Sequence, residues 1–384
     1  MKTEILAERS VDESRVDVGL IICLMLLLGF GLLTLYVSSE NYAVRAFDDG
    51  LYFIKRQLVT VSVGLVLMTI TACVNMSFIR KLLPVFVIGS FVLCCLTFIP
   101  GLGVERNGAR RWIALPFGGT FQPSETAKIA VILFLANLFD KKYDRFDTPA
   151  VSVYPAAFGL FLFVIIVFLQ NDFSTAFFIM LMGFVMFFVA GVYLRWFFAF
   201  CIFAIPVAVL FIFSEEYRVN RLIAFLRPDF DLHGINYQLA ASRRAISAGG
   251  FWGSGLGSGL TYVNGIPEVQ ADFIFAGWAE AMGFFGVVIY FAILTYLGVC
   301  VFRIALRCTE RFNSLLAIGF GCFLIVQSIL NCGVVCGALP STGIPLPFFS
   351  SGGSSVIVSL LAAGFLINVS RADNKYVREF EYER

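Results

Sequence analysis

The 384-residue chain is 59% hydrophobic and only 14% charged, with a mean hydropathy of +0.87 and a net charge of +2. A soluble domain carries roughly 25% charged residues, so the composition excludes a soluble protein, and so small a charge with no dense basic run excludes a nucleic-acid partner. The ten cysteines fall almost entirely in apolar runs, no Cys-x-x-Cys or Cys/His spacing occurs and His233 is the single histidine, so neither a disulfide framework nor a zinc site is expected.

Residues 1–17 are polar and of mixed charge, unlike a cleaved signal peptide, and are expected to form a cytoplasmic tail. A membrane span needs about 20 mostly apolar residues. Ten are predicted, at about 18–38, 57–74, 80–99, 122–139, 151–169, 174–192, 195–213, 272–301, 313–336 and 350–369. The expected fold is therefore all-α: one polytopic membrane domain over 18–371, a long extracytoplasmic loop (214–271) between spans 7 and 8, and a cytoplasmic tail over 372–384. Placing both termini inside puts Arg80, Lys81, Lys141, Lys142, Arg303, Arg307, Arg311 and Arg371 on the inner side, as the positive-inside rule requires.

With this orientation the unusual polar stretches share the outer side. The first runs from Glu105 through Arg110, Arg111, Trp112 and Ile113 to Gln122-Pro123-Ser124-Glu125, with Lys128 one turn further. Pro123 suits a first helical turn, and Ser124, Glu125 and Lys128 share a face. Lys128 can snorkel while paired to Glu125, or join Arg110 and Arg111 in an anion site. The second stretch, Gln170 to Thr175, is a tight turn in which Asp172 can cap the next helix. The long loop carries Arg218, Arg221, Arg227, Arg243 and Arg244, a short amphipathic helix at about 237–248 and a glycine-rich run over 249–259. That run has no preceding strand and no terminal Lys-Ser/Thr, so a nucleotide site is not expected.

Asp272 follows, at the threshold of a long apolar run interrupted mainly by Glu280. A charge inside that boundary costs about 2.5–3.5 kcal/mol. Two readings stand: a carboxylate favoured at a helix start, or a working group. Last comes Leu339 to Ser355, rich in proline and glycine and containing Ser341 and Thr342. Irregular backbone at membrane depth is tolerated only where it is packed in protein or lines a watery cavity, so this stretch is either a rigid connector or a cavity wall.

Four segments together resemble the SEDS family (shape, elongation, division and sporulation) of bacterial cell-wall proteins. They are Gly108-Ala109-Arg110-Arg111-Trp112-Ile113, Gln122-Pro123-Ser124-Glu125 with Lys128, Pro267-Glu268 with Asp272-Phe273-Ile274-Phe275-Ala276 and Glu280, and Leu339-Pro340 through Gly353-Ser354-Ser355. The match covers nearly the whole chain. Tyr237-Gln238, Ala245-Ile246, Gly249-Gly250 and Phe349 to Gly353 look more like the division branch (FtsW) than the elongation branch (RodA). The chain departs from the family pattern at Gln170-Asn171-Asp172, where Gln-Pro-Asp is usual, at Gln270-Ala271, where His-Thr is usual, and at Glu280-Ala281, where paired glutamates are usual.

The resemblance implies a peptidoglycan glycosyltransferase that polymerises lipid II at the outer face of the cytoplasmic membrane, at the division septum. Asp272 is then the base. Arg110, Arg111 and Lys128 are the candidates for the diphosphate, and Glu125, Glu280, Ser341 and Thr342 complete the substrate-binding set. A divalent cation (Mg or Mn), with Asp272 as one ligand, is left open; no organic cofactor is expected. The implied partners are a class B penicillin-binding protein with transpeptidase activity and other division proteins. Two alternatives remain beside this reading: a lipid II flippase and a non-catalytic division scaffold.

Overall fold

The computed structural model describes residues 16–106, 108–115, 119–146, 148–193, 195–196, 202, 213, 216–227, 234, 236–256 and 260–382. Its helices are α1 (Val18–Phe47), α2 (Tyr52–Cys73), α3 (Met76–Leu96), α4 (Pro123–Lys141), α5 (Val153–Leu169), α6 (Phe173–Val189), α7 (Glu216–Leu226), α8 (Tyr237–Gly249), α9 (Ile274–Arg307), α10 (Arg311–Val335) and α11 (Gly353–Tyr382). Among the described residues, α1 to α6 and α9 to α11 follow nine of the predicted spans, and α8 is the predicted amphipathic helix. The seventh predicted span, 195–213, lies outside the described residues except at a few positions. Six of the helices are long and apolar enough to cross a membrane, and α5 and α6 are shorter apolar helices. The chain is a multi-pass membrane protein.

Local signals account for several helix starts. The Asp17 carboxylate accepts from Leu20 N at 3.0 Å and caps α1. Pro123 stands in the first turn of α4, where its missing N–H costs nothing. Helix lengths exceed the predicted spans where charge continues a helix beyond the apolar run. Thus α2 starts at Tyr52 and carries Lys55 and Arg56, and α1 continues to Phe47. Hydropathy marks membrane depth, not helix ends.

A three-stranded antiparallel sheet adds to the helical expectation: β1 (Gly103–Arg106), β2 (Ala109–Ala114) and β3 (Thr120–Phe121). Gly103 pairs with Ile113 and Val104 with Trp112, then a bulge shifts the register. The strands are short and charged, so the alternation that marks a longer strand is faint.

The bundle has two ends. At one end Arg80 pairs with Asp140, Arg311 donates to Ala190 O at 2.6 Å and Arg371 donates to Cys73 O at 2.9 Å. At the other end lie the sheet, the α5–α6 turn, α7, α8 and the segments 260–273 and 337–352. Here Ser242 Oγ donates to Val335 O at 2.8 Å, docking α8 on the end of α10. The guanidinium of Arg218, on α7, lies 5.3 Å from the Phe168 ring and 5.8 Å from the Phe173 ring. Arg221, one turn on, donates to Ser341 O at 3.0 Å. So α7 bridges from the α5–α6 turn to the Pro/Gly-rich segment.

Helix α9 is broken at Gly283, whose φ of 62° lies in the left-handed region that glycine accepts. Groups freed by the break find partners in the glycine-rich loop. Ser254 N donates to Glu280 O (2.8 Å), Gly255 N to Ala281 O (3.1 Å), Phe284 N to Gly250 O (2.9 Å) and Phe285 N to Phe251 O (3.2 Å). The Trp278 indole donates to Gly286 O at 2.9 Å. A broken helix at membrane depth survives because its backbone groups are satisfied inside the protein. The first half of α9 is thereby a separate short block. It is anchored by Trp278 against Phe30 and Phe349 and by Phe275 against Tyr290.

Candidate functional site around Asp272

Asp272 stands two residues before α9, at the top of a loop held at several points. At the loop's start, the buried Glu280 carboxylate accepts from Thr261 N (3.0 Å), Tyr262 N (3.1 Å) and Val263 N (2.8 Å). At its end, Asn331 Nδ2 donates to Asp272 O (2.8 Å) and to Ile344 O (2.9 Å). Between them Ser351 N donates to Gln270 O at 2.7 Å. The Pro/Gly-rich segment is therefore laced to the loop, and a methyl group added at Gly343 would meet Asp272 Oδ2 at 3.2 Å. The site is built from one broken helix, one turn of α10 and the segment 341–351.

The Asp272 side chain itself makes no hydrogen bond among the described residues. Burial pushes its carboxyl up from 3.8 to about 6. Arg221 pulls it back down, Glu268 raises it, Arg111 lowers it and Asp172 raises it. The balance leaves a half-buried carboxylate that titrates at about 6, drawn down by the charges of two guanidinium groups from different elements. Perturbed carboxylates of this kind gather at functional sites.

The other expected residues divide into two groups. Arg111, Ser341 and Thr342 come to the mouth of the site. Arg111 Nη1 lies 3.8 Å from Asp172 Oδ1, and the same guanidinium donates to Asn171 O. Ser341 offers its carbonyl to Arg221, and Thr342 Oγ1 is enclosed without a hydrogen-bond partner among the described residues. Arg110 points elsewhere, paired with Glu105 at 3.0 Å in an exposed pair on the sheet. Lys128 and Glu125 form a buried ion pair at 2.7 Å, with Lys128 Nζ also 3.2 Å from Gln327 Oε1. The Lys128 ammonium lies 5.2 Å from the Phe178 ring and 5.7 Å from the Phe323 ring. Gln327 is one turn of α10, about 6 Å, deeper than Asn331. Lys128 thus sits beneath the site, and this geometry favours the paired reading over a place among the diphosphate ligands.

Glu280 has no side for substrate, since both carboxylate oxygens are taken by backbone amides. Its role is to hold the loop. Replacing it with alanine leaves three amides without acceptors, which is expected to lower stability by at least about 2 kcal/mol. Thermal unfolding in detergent measures this. An unchanged midpoint would show that water replaces the carboxylate.

Arg221, Asn331 and Asp172 were not among the expected site residues. Asp172 accepts from Gln122 Nε2 (2.8 Å) and Ser124 Oγ (3.1 Å) besides capping α6, so it holds Arg111 and the start of α4 together. Only the i to i+3 pattern of a cap was visible locally. For a divalent cation, the described residues bring no three His, Cys, Asp or Glu side chains together. Asp272 and Glu268 are the carboxylates at hand, and Mg²⁺ is commonly held by one or two carboxylates plus substrate phosphates, so the donor set fits such an ion.

Beside Asp272 a small crevice of about 40 Å³ opens between α7, α8 and the end of α10, with Arg221, Phe273 and Ser341 in its wall.

Comparisons with known proteins agree with this architecture. The chain is 35% identical over 354 residues to a protein of Trichlorobacter lovleyi called probable peptidoglycan glycosyltransferase FtsW, covering 92% of this chain and 93% of that one. It is 36% identical over 360 residues to stage V sporulation protein E of Bacillus subtilis, covering 92% and 97%. Among solved structures, a chain from a peptidoglycan synthase complex matches with a TM-score of 0.77 at 28% identity, covering 93% of this chain and 98% of that chain. An aspartate-to-alanine mutant of the rod shape determining protein RodA of Thermus thermophilus matches with a TM-score of 0.66 at 25% identity, covering 93% and 97%. The family model for the cell cycle proteins FtsW, RodA and SpoVE matches residues 18–375, and the chain belongs to that family.

Proposed function

We propose that this chain is a membrane-embedded peptidoglycan glycosyltransferase, with Asp272 as its general base. The observation that carries the proposal is the Asp272 carboxylate itself. It makes no hydrogen bond among the described residues, is raised to about 6 by burial, and feels the opposing charges of Arg221 and Arg111. Relatives that are named peptidoglycan glycosyltransferases, at 35% identity over most of the chain, supply the reaction class.

The substrate is a disaccharide-pentapeptide on a polyprenyl diphosphate. The attacking sugar hydroxyl is a poor nucleophile. Asp272 takes its proton as the oxygen bonds to the anomeric carbon of the donor, and the bond from that carbon to diphosphate breaks. Diphosphate leaves with the electron pair, and Arg111 and Arg221 counter its charge. Diphosphate departure needs no acid partner, so one carboxylate suffices where a glycosidase uses two. Direct displacement inverts the anomeric carbon. A bound divalent cation would supply further charge neutralisation for the diphosphate, with Asp272 and Glu268 as its protein ligands. The site end of the bundle is the outer one, both termini are cytoplasmic, and the enzyme works at the division septum beside a class B penicillin-binding protein.

Purified protein, alone and with its transpeptidase partner, should convert labelled lipid II to polymer, read by product sizing. Transport of lipid II in liposomes without polymer would favour a flippase instead. Arg111→Gln should lower kcat/KM by about tenfold, the order expected for one hydrogen bond to a charged group. Because Arg111 holds the Asp272 carboxyl down, its loss should also move the acid limb of the pH profile upward. A limb that stays in place would detach Arg111 from the base.

A further inference from the structure

Two carboxamides stand in the last turns of α10. Gln327 and Asn331 lie four residues apart, on one face of the helix, and both are buried. A carboxamide in an apolar spanning helix usually bonds across to a neighbouring element. Both do so here, and to adjacent residues. Asn331 Nδ2 donates to Ile344 O at 2.9 Å and Gln327 Nε2 to Pro345 O at 2.8 Å. From α2, Gln57 Nε2 donates to Ser350 O at 3.2 Å. The Pro/Gly-rich segment is thus moored by carboxamides of α2 and α10, which satisfy carbonyls that its irregular backbone leaves over.

Asn331 differs in what else it holds. The same Nδ2 donates to Asp272 O at 2.8 Å. Its two N–H groups therefore tie the backbone of the proposed base to Ile344. The residue before Ile344 is Gly343, where an added methyl group would meet Asp272 Oδ2 at 3.2 Å. Asn331 so fixes both the chain that carries the carboxylate and the surface against which the carboxylate lies. The carboxylate depends on this, since it makes no hydrogen bond of its own among the described residues and takes its direction from the backbone. The amide is also kept at a cost. Its Oδ1 is enclosed with no hydrogen-bond partner among the described residues, and a buried acceptor left so costs about 1–3 kcal/mol. A carboxamide retained on those terms serves through its donors.

We infer that Asn331 is the positioning residue of the base: without touching substrate, it holds Asp272 and residues 343–344 in one fixed relation, so that the carboxylate meets the attacking hydroxyl where the proton leaves. This rests on the reading of Asp272 as general base.

A misplacement of about 1 Å can cost a reaction about 10²-fold. Asn331→Leu, close in volume and without donors, should therefore lower kcat for lipid II polymerisation by about 10²-fold and leave KM nearly unchanged, measured on folded protein well below its unfolding midpoint. A second measurement separates positioning from general support of the fold. Residues that act as a unit are not additive. In the Asp272→Asn background, where no base is left to aim, Asn331→Leu should cost little more. Asn331→Ser, which keeps one donor, should lose about tenfold in kcat and carries both measurements if the leucine variant does not fold. An unchanged kcat in the folded variant, or the same fractional loss with and without the Asp272 carboxylate, overturns the inference; the second result would make Asn331 a support of the whole site. Full activity of Asp272→Asn would instead remove the base reading, and this inference with it.

Discussion

Asp272→Asn is expected to lower polymerisation of lipid II by about 10²–10⁴-fold, the usual contribution of a positioned general base, while the protein remains folded. The asparagine keeps the size of the side chain and leaves the backbone contacts of Asp272 O with Asn331 untouched. What it removes is the proton acceptor. The carboxyl lies at about 6 because burial outweighs the attraction of Arg221 and Arg111. In the unaltered enzyme kcat/KM should therefore be flat above that value and fall about tenfold per pH unit below it, as the base takes up its proton. The same shift fixes the sign of the stability change. A carboxyl raised from 3.8 to about 6 holds its proton more tightly when folded than when unfolded. Its contribution to stability is therefore lost as pH rises from about 4 to about 6, and the penalty is complete above that. Asp272→Asn removes the penalty, so its unfolding midpoint at pH 7 should equal or exceed that of the parent. Such an exchange of stability for function is common at active sites. Full activity of the purified variant, or a flat profile down to pH 4, would end the case for Asp272 as base.

Much of the bundle was legible because a membrane enforces simple rules. A spanning segment must be apolar and must satisfy its own backbone, so nine helices appear at the expected places among the described residues, six of them long and apolar enough to cross a membrane. Their ends were not legible, since Lys55 and Arg56 continue α2 without being apolar. Asp272 stood out because a carboxylate at the edge of a long apolar run is costly and therefore conspicuous. Glu280 stood out for the same reason, yet its role could not be inferred, because its three amide partners are brought to it by a loop that folds back on the broken helix. Arg221 was one of five arginines in a long loop. Nothing local distinguishes it from Arg227 or Arg244; only the docking of α7 across the site brings it to Ser341. The sheet at residues 103–121 was missed because its strands are short and carry charge at Glu105, Arg106, Arg110 and Arg111.

Lys128→Ala should act through stability before it acts through chemistry. The Lys128–Glu125 pair is buried on both sides, with side-chain exposures of 1% and 3%. Removing the lysine strands the Glu125 carboxylate, one oxygen of which already lacks a hydrogen bond among the described residues, in a space enclosed by α4, α6 and α10. Breaking a buried pair from one side costs about 3–5 kcal/mol, whereas replacing both partners with apolar groups of similar volume is often neutral or stabilising. Two variants separate a structural role from a substrate contact. If Lys128 only compensates Glu125, Lys128→Met alone should unfold at a much lower temperature than the parent, and Lys128→Met combined with Glu125→Leu should recover both the midpoint and most of the polymerase activity. If the ammonium instead meets the diphosphate, the double variant will be stable and inactive, with KM for the lipid substrate raised. The cation lies about one helical turn beneath Asp272, between two phenylalanine rings, and that position favours the first outcome. Recovery of stability without recovery of activity would return Lys128 to the anion site that its place beside Arg110 and Arg111 in the sequence first suggested.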